Sequence, residues 1–282
     1  MNRADPRDAP ARPIGVFDSG IGGLTVVRHI HRLLPDERVV YFGDSARVPY
    51  GTKSPETVIR FSMESARFLL RRDVKFLVVA CNTSSAVAMP TLDGTFGIPK
   101  VGVIGPAVRR ALAATRSGRV GVIGTGATIA SGAYAGGLKA ARSGVVVVSR
   151  ACPLLVPLVE DGWLEGEIPE SLVKHYLDPV LSEGVDVIIL GCTHYPLLKD
   201  LMAKAAGDGV TLVESGEAAA EDMARTLAST GLLRRRDDPP LADAYYVSDI
   251  PMRFREIGER FLGKALESVE RVDQVDLPWY DR

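Results

Sequence analysis

Asp73-Val74-Lys75-Phe76-Leu77-Val78-Val79-Ala80-Cys81-Asn82-Thr83 and Val185-Asp186-Val187-Ile188-Ile189-Leu190-Gly191-Cys192-Thr193-His194 read almost alike, about 111 residues apart. Each is a short apolar run, with the length and β-branched content of a buried strand, that ends at a cysteine. The likeness reaches outward. Ile14-Gly15-Val16-Phe17-Asp18-Ser19-Gly20 aligns with Val120-Gly121-Val122-Ile123-Gly124-Thr125-Gly126 about 106 residues on, and Val48-Pro49-Tyr50 stands about 108 before Val156-Pro157-Leu158. Offsets that hold across three strands predict two related α/β halves. Apolar strands resemble one another cheaply, so the matching polar residue at each strand end is the stronger part of the repeat.

Strand-like runs at Ile14–Phe17, Val39–Phe42, Phe76–Ala80, Val101–Ile104, Val120–Ile123, Val145–Val148, Val187–Leu190 and Thr211–Val213 alternate with amphipathic segments, the pattern of parallel sheets covered by helices on both faces. One helix carries Val26, Val27, Ile30, Leu33 and Leu34 and stops at Pro35; another starts at Ser54-Pro55-Glu56, a cap followed by proline at the first helical position. After Ser215 come a helix over Glu217–Ala228, a charged loop from Arg234 to Pro240, read as a solvated turn, and a further strand, helix and strand. Ligands of open α/β sheets bind outside the carboxyl ends of the strands, so two facing halves would share one cleft.

The composition fits a small-molecule protein. The chain has 282 residues, 46% hydrophobic and 24% charged, with a formal net charge of -1, which gives no electrostatic reason to expect nucleic acid or an anionic membrane. No apolar run reaches the roughly 18 residues of a membrane span. Met1–Pro13 is polar and proline-rich, unlike a signal peptide, and is expected to be a disordered tail of a cytoplasmic protein. Three cysteines without a Cys-x-x-Cys pair argue against a disulfide framework and a structural zinc site.

Cys81 and Cys192 both read as lying where a strand gives way to a helix start, a setting that lowers a thiol pKa below its free value of about 8.5. Burial as a small hydrophobe is the competing explanation for any cysteine, and it is kept for Cys152, which has no twin. Asp18 opens the glycine-rich turn Asp18-Ser19-Gly20-Ile21-Gly22-Gly23, whose backbone can cradle an anion; the spacing is not that of a dinucleotide fingerprint. Asp18 suits meeting an ammonium group or steering a proton, and a helix cap explains it equally well. His194 can pair with Cys192; Cys-x-His as metal ligands lacks a second pair at ligand spacing, so no metal is expected. His29 and His31 read as surface or boundary residues. Ser19, Asn82, Thr83, Thr125, Thr128, Ser131 and Thr193 would line a cleft rich in hydroxyl and amide groups, fitted to a small dicarboxylate.

These motifs resemble the cofactor-independent aspartate/glutamate racemase family, its glutamate racemases in particular. The matching pieces are Phe17-Asp18-Ser19-Gly20-Ile21-Gly22-Gly23-Leu24, Gly43-Asp44, Pro49-Tyr50-Gly51, Ala80-Cys81-Asn82-Thr83, Gly124-Thr125 through Thr128, Cys152-Pro153 through Glu160, and Gly191-Cys192-Thr193-His194-Tyr195-Pro196-Leu197-Leu198. The resemblance implies two similar flavodoxin-like domains related by pseudo-symmetry, residues 14–106 with 216–282 and residues 107–215, with the active site in the cleft between them. It implies Cys81 and Cys192 as opposed acid/bases acting on D- and L-glutamate respectively, Asp18 assisting Cys81, and Glu160 with His194 assisting Cys192. Substrate contacts carry over to Asp18, Ser19, Tyr50, Gly51, Asn82, Thr83, Thr125, Thr128, Thr193 and His194. No cofactor, a homodimer, and supply of D-glutamate for peptidoglycan in a bacterial cytoplasm are also implied. Val213-Glu214-Ser215-Gly216 departs from the family's usual Asp-Ser-Ala.

Two thiols on opposite faces of one bound carbon are what stereoinversion requires. An amino acid Cα–H is a very weak acid, so hydroxyl and backbone donors around the substrate carboxylate must stabilise the carbanion-like transition state. Aspartate racemisation and a two-lobed dicarboxylate-binding protein with structural cysteines are the competing readings. A single-thiol decarboxylase of the same superfamily would need only one cysteine.

Overall fold

The computed structural model describes residues 6–235, 237–238 and 242–272. Among the described residues ten strands form two sheets: β1 Ile14–Asp18, β2 Val39–Gly43, β3 Phe76–Val79, β4 Lys100–Gly102, β5 Arg119–Gly124, β6 Val146–Ala151, β7 Val187–Gly191, β8 Thr211–Glu214, β9 Ala244–Val247 and β10 Glu270–Arg271. The first sheet has the order β10-β9-β2-β1-β3-β4 and the second β6-β5-β7-β8, with every pairing parallel. The connectivity β2-β1-β3-β4 repeats as β6-β5-β7-β8, so each half starts on an inner strand, steps one way and returns on the other side. These are two parallel-sheet α/β domains of the same winding, as the repeat predicts.

Among the described residues the α-helices are α1 Leu24–Leu33, α2 Pro55–Leu70, α3 Asn82–Val87, α4 Met89–Thr95, α5 Ile104–Ala114, α6 Gly126–Ala130, α7 Ala133–Ala141, α8 Leu155–Glu160, α9 Glu167–Leu181, α10 Lys199–Ala206, α11 Ser215–Ser229 and α12 Pro251–Leu262. They cover both faces of each sheet. Phe17, Phe42, Leu77 and Val79 pack under Met63, Ala66 and Leu69 of α2, while Val16, Tyr41 and Val78 on the opposite face join a core with Val26 and Ile30 of α1 and Phe261 of α12. In the second sheet Val120, Val122, Val187 and Ile189 meet α5 and α7, and Ile188 and Leu190 meet Leu177 of α9 and Met202 of α10. Period-2 alternation is absent from β1, β2, β3 and β7 because all their residues are buried, as sheets covered twice require. α2 starts as read: Ser54 Oγ accepts from the Thr57 N–H at 3.3 Å, with Pro55 next.

Five expectations change. Ile104 opens α5 instead of ending β4, and β6 is an edge strand with Val146 exposed, running on to Ala151 by pairing with Gly124. Pro6–Ala11 is a 3₁₀ helix instead of disordered tail, held where the buried Lys75 ammonium donates to the Pro10 carbonyl (2.7 Å) and pairs with Glu37 (2.6 Å); residues 1–5 lie outside the described residues. In the charged loop, Arg236, Pro239 and Pro240 lie outside the described residues, but Arg234 is docked, donating to the Ala11 carbonyl (2.6 Å). His29 is buried, with Nε2 3.0 Å from Glu214 Oε2, whereas His31 is a boundary residue as read, 3.1 Å from Asp243.

Glu214 ends β8, so its bond to His29 of α1 joins the two halves, and Lys199 Nζ donates to its other oxygen at 2.5 Å. Burial opposes the charge on Glu214, but these two partners outweigh it and hold its pKa down to about 2, against 4.5 ordinarily. A depressed carboxylate stabilises the fold fully above the unfolded value, and the contribution fades as pH falls through the folded one. Glu214→Gln is therefore expected to destabilise by on the order of 2 kcal/mol at pH 7, discounted because Lys199 is partly exposed, and by far less near pH 2.5. Urea unfolding of both proteins at the two pH values checks this; an equal gap at both would refute it.

Candidate active site

The doubly wound order has a physical consequence at each sheet's switch point. Beside β1 and β3, and again beside β5 and β7, the chain leaves neighbouring strands in opposite directions and opens a crevice at their carboxyl ends. The ends of these four strands and the segments that follow them carry Asp18 and Ser19, Cys81 to Thr83, Thr125, and Cys192 to His194, and the two crevices face each other across one cavity of about 380 Å³. Cys81, Cys192, Ser19, Tyr50, Gly51, Asn82, Thr83, Thr125, Thr193, Glu160 and His194 all line it, whereas Asp18 and Thr128 do not. Cys152 stays outside it, fully buried in the core.

The two thiols stand in different surroundings. Cys81 is the N-cap of α3: its Sγ accepts from the Ser84 N–H at 3.4 Å and donates to Ser19 Oγ at 3.6 Å. Burial, reinforced by the Asp18 carboxylate, nevertheless pushes the Cys81 thiol up to about 11, against 9 ordinarily. The expected lowering by a helix terminus is thus overturned; α3 has only six residues, and desolvation outweighs its amides. Cys192 is also not at an α-helix start. It precedes a turn into the 3₁₀ segment Tyr195–Leu198, and its Sγ lies 3.8 Å from His194 Nδ1. His194 Nε2 lies 2.9 Å from Glu160 Oε1 at the end of α8. Burial disfavours a charged ring, but Cys192 and Glu160 together raise the His194 pKa to about 10. Burial likewise opposes the charge on Glu160, and its contacts with His194 and the charge of Arg253 win, holding it below the usual range. Glu160, His194 and Cys192 form a line in which an imidazole whose pKa is raised faces a sulfur.

Asp18 lies just behind the wall, 1% exposed. Its Oδ2 accepts from the Gly20 N–H at 3.0 Å, and its buried Oδ1 has no hydrogen-bond partner. Burial raises its pKa, with the charge of His194 acting in the opposite sense. Thr128 is 1% exposed and supports the wall from behind, 3.1 Å from the Thr83 hydroxyl and 2.9 Å from that of Thr125. The two crevices thus present hydroxyls and amides to one another around two sulfurs.

The sequence pattern of the Asp/Glu/Hydantoin racemase family matches residues 14–223. This chain belongs to that family. A glutamate racemase of Geobacter metallireducens is 53% identical over 263 residues, 93% of this chain and 97% of that one. Among solved structures, the glutamate racemase of Francisella tularensis in complex with D-glutamate superposes with a TM-score of 0.88 at 39% identity, covering 95% of this chain and 100% of that one. The Escherichia coli glutamate racemase in complex with L-glutamate and the activator UDP-MurNAc-Ala gives 0.77 at 28% identity, covering 93% and 98%.

Within the family frame, several lining residues escaped the residue-by-residue reading. Val48, Pro49 and Thr52 flank Tyr50, while Pro153, Val156 and Pro157 complete the wall beside Glu160. Most are apolar and carry no chemical signature; their signal was the aligned pair Val48-Pro49 and Val156-Pro157. The glycine-rich turn also makes a close contact across the cleft. A Cβ on Gly22 would lie 2.1 Å from Thr193 Oγ1, so Gly22 is there to let the first turn approach the second half. Tyr50 is fixed by its hydroxyl donating to the buried Asp44, which also accepts from Arg47 Nε (2.7 Å) and Ser248 Oγ (2.9 Å).

Proposed function

We propose that this protein is a glutamate racemase, interconverting L- and D-glutamate through two cysteines and without a cofactor. The observation that supports this most is the pair Cys81 and Cys192, at equivalent strand ends of two like-wound sheets, both opening onto one cavity. The 53% identity to a glutamate racemase points to the same substrate.

In this reading L-glutamate meets a Cys192 thiolate opposed to the His194 imidazolium and a neutral Cys81 thiol. The thiolate takes the Cα proton, and the electron pair passes toward the substrate's α-carboxylate. Cys81 then donates its proton to the opposite face of Cα, leaving D-glutamate, a Cys192 thiol and a Cys81 thiolate; D-glutamate runs the same steps backward. Surroundings that push two titratable groups apart assign acid and base, and the raised thiol of Cys81 opposite the cation beside Cys192 fits the L-directed state. Glu160 keeps His194 charged, and Asp18 assists Cys81. Ser19, Tyr50, Gly51, Asn82, Thr83, Thr125 and Thr193 hold the two carboxylates and the ammonium, and Thr128 orients Thr83 and Thr125. Preorganised donors at the developing charge are the largest contribution to such a step. We place the domain exchanges near Pro106 and Ser215, and take the protein to act as a cytoplasmic homodimer that supplies D-glutamate for peptidoglycan.

The test is proton NMR with L-glutamate in deuterated water, without added cofactor, alongside circular dichroism and with L-aspartate in parallel. Loss of the glutamate Cα–H signal with ellipticity decaying to zero is expected. Turnover of aspartate alone would transfer the reading to aspartate racemisation, and silence on both, from folded protein with reduced thiols, would overturn it in favour of a binding protein.

A further inference from the structure

Asn82 follows Cys81 in the first half, yet both ends of its amide are held by the second half. The Tyr134 hydroxyl of α7 donates to Asn82 Oδ1 at 2.5 Å, and Asn82 Nδ2 donates to Ser215 Oγ at 3.2 Å. Ser215 in turn donates to the Leu190 carbonyl of β7 at 3.0 Å. All three side chains are nearly inaccessible, at 3% for Asn82, 2% for Tyr134 and 1% for Ser215, and of the three only Asn82 lines the cavity.

The direction of this chain follows from elementary hydrogen-bond valence. A carbonyl only accepts, so at Leu190 the single hydroxyl proton of Ser215 is spent, and toward Asn82 that hydroxyl can only accept. The amide must therefore turn Nδ2 to Ser215 and Oδ1 to Tyr134. Turned over, Oδ1 would face a hydroxyl with no proton left, a buried acceptor without a donor. Burial also raises the Tyr134 phenol, which keeps it a protonated donor at neutral pH. The Tyr134 ring lies against Gly191, where an added Cβ would come 3.1 Å from Cε2, so one side chain touches the neighbours of both cysteines.

We infer that Tyr134 and Ser215 are positioning residues that fix the polarity of the Asn82 amide, so that its remaining N–H is offered to an anionic substrate as a donor. The inference rests on the racemase reading above. Both residues act from the half that carries Cys192 on a group beside Cys81, so the binding-competent donor exists only when the two halves are docked.

Tyr134→Phe keeps the ring and removes the donor. It is expected to raise KM for both L- and D-glutamate about tenfold with a smaller change in kcat, the size of one lost orienting hydrogen bond to a group that meets charge. Because the effect passes through Asn82, the same substitution in an Asn82→Ala background should change KM less than about twofold. Unchanged KM in Tyr134→Phe, or a full tenfold rise that persists in Asn82→Ala, overturns the inference while leaving the racemase reading intact. No racemisation by the unsubstituted protein sinks both. If Tyr134→Phe melts well below the parent, Ser215→Ala provides the same cycle with the same expected disappearance of its effect beside Asn82→Ala.

Discussion

Cys81→Ser and Cys192→Ser are each expected to lose racemisation of glutamate by a factor on the order of 10² to 10⁴, the size of one general acid/base contribution, while the fold is retained. Retention follows from what the sulfurs touch. Cys81 accepts from the Ser84 N–H as a helix cap, which a serine hydroxyl does at least as well. Cys192 faces His194 Nδ1, another contact a hydroxyl can keep. The loss is therefore chemical: a hydroxyl neither becomes an anion near neutrality nor gives up its proton as readily as a thiol. It should also be one-sided. In the proposed mechanism the thiol left in Cys192→Ser serves the D-enantiomer, so any residual exchange of Cα–H with deuterated solvent is expected with D-glutamate, and in Cys81→Ser with L-glutamate. Cys152→Ala, outside the cavity, keeps the parent's activity in both directions. Circular dichroism and NMR of the three variants decide the matter; either serine variant racemising within a few-fold of the parent would end the two-thiol mechanism.

The placement of these thiols was legible in the sequence because strands buried on both faces spell themselves out as apolar runs, and the residue where each run breaks is the strand end. The repeat offset then announced the second half, and β2-β1-β3-β4 against β6-β5-β7-β8 is its physical form. What could not be read were properties set by neighbours distant in sequence. The direction of the Cys81 shift depends on desolvation, which no local pattern records, and a local rule about helix termini pointed the other way. Asp18 at the end of β1 and Thr128 in α6 have the right chemistry, but sit one layer behind the wall. His29, on a helix with polar neighbours, looked like a boundary residue; its burial comes from Glu214, 185 positions away. The departure at Glu214-Ser215-Gly216 acquires a reason only in three dimensions: Glu214 spans His29 and Lys199, and a Cβ on Gly216 would lie 2.8 Å from Val26 Cγ2.

Gly22→Ala is the sharpest test of how the two halves are set against each other. Gly22 lies in the turn between β1 and α1, and that turn is stitched to the second half by Thr25, whose hydroxyl lies 2.9 Å from the Gly22 carbonyl and 3.0 Å from the Thr193 carbonyl. An alanine methyl there would stand 2.1 Å from Thr193 Oγ1 and 2.6 Å from His194 Nδ1, distances that no relaxed contact allows. One of two things must yield. If the side chains give way, Thr193 turns from the cavity and His194 is pushed from its line between Glu160 and Cys192; if the backbone gives way, the halves separate and the sulfurs move apart. Both routes misplace groups around the reacting carbon by up to about an ångström, a displacement that costs roughly 10²-fold in rate. Overpacking of this kind also destabilises by about 1 to 3 kcal/mol. The expected result is a loss of kcat/KM on the order of 10²-fold in both directions with a lowered unfolding midpoint. Gly105→Ala in α5, where the nearest atom is the flexible end of Arg109 at 3.5 Å, serves as the comparison and should leave both quantities near the parent's. Gly22→Ala with the parent's kcat/KM would show that the turn does not hold the Cys192 side in place, and the close approach of the halves at this point would lose its role in the chemistry.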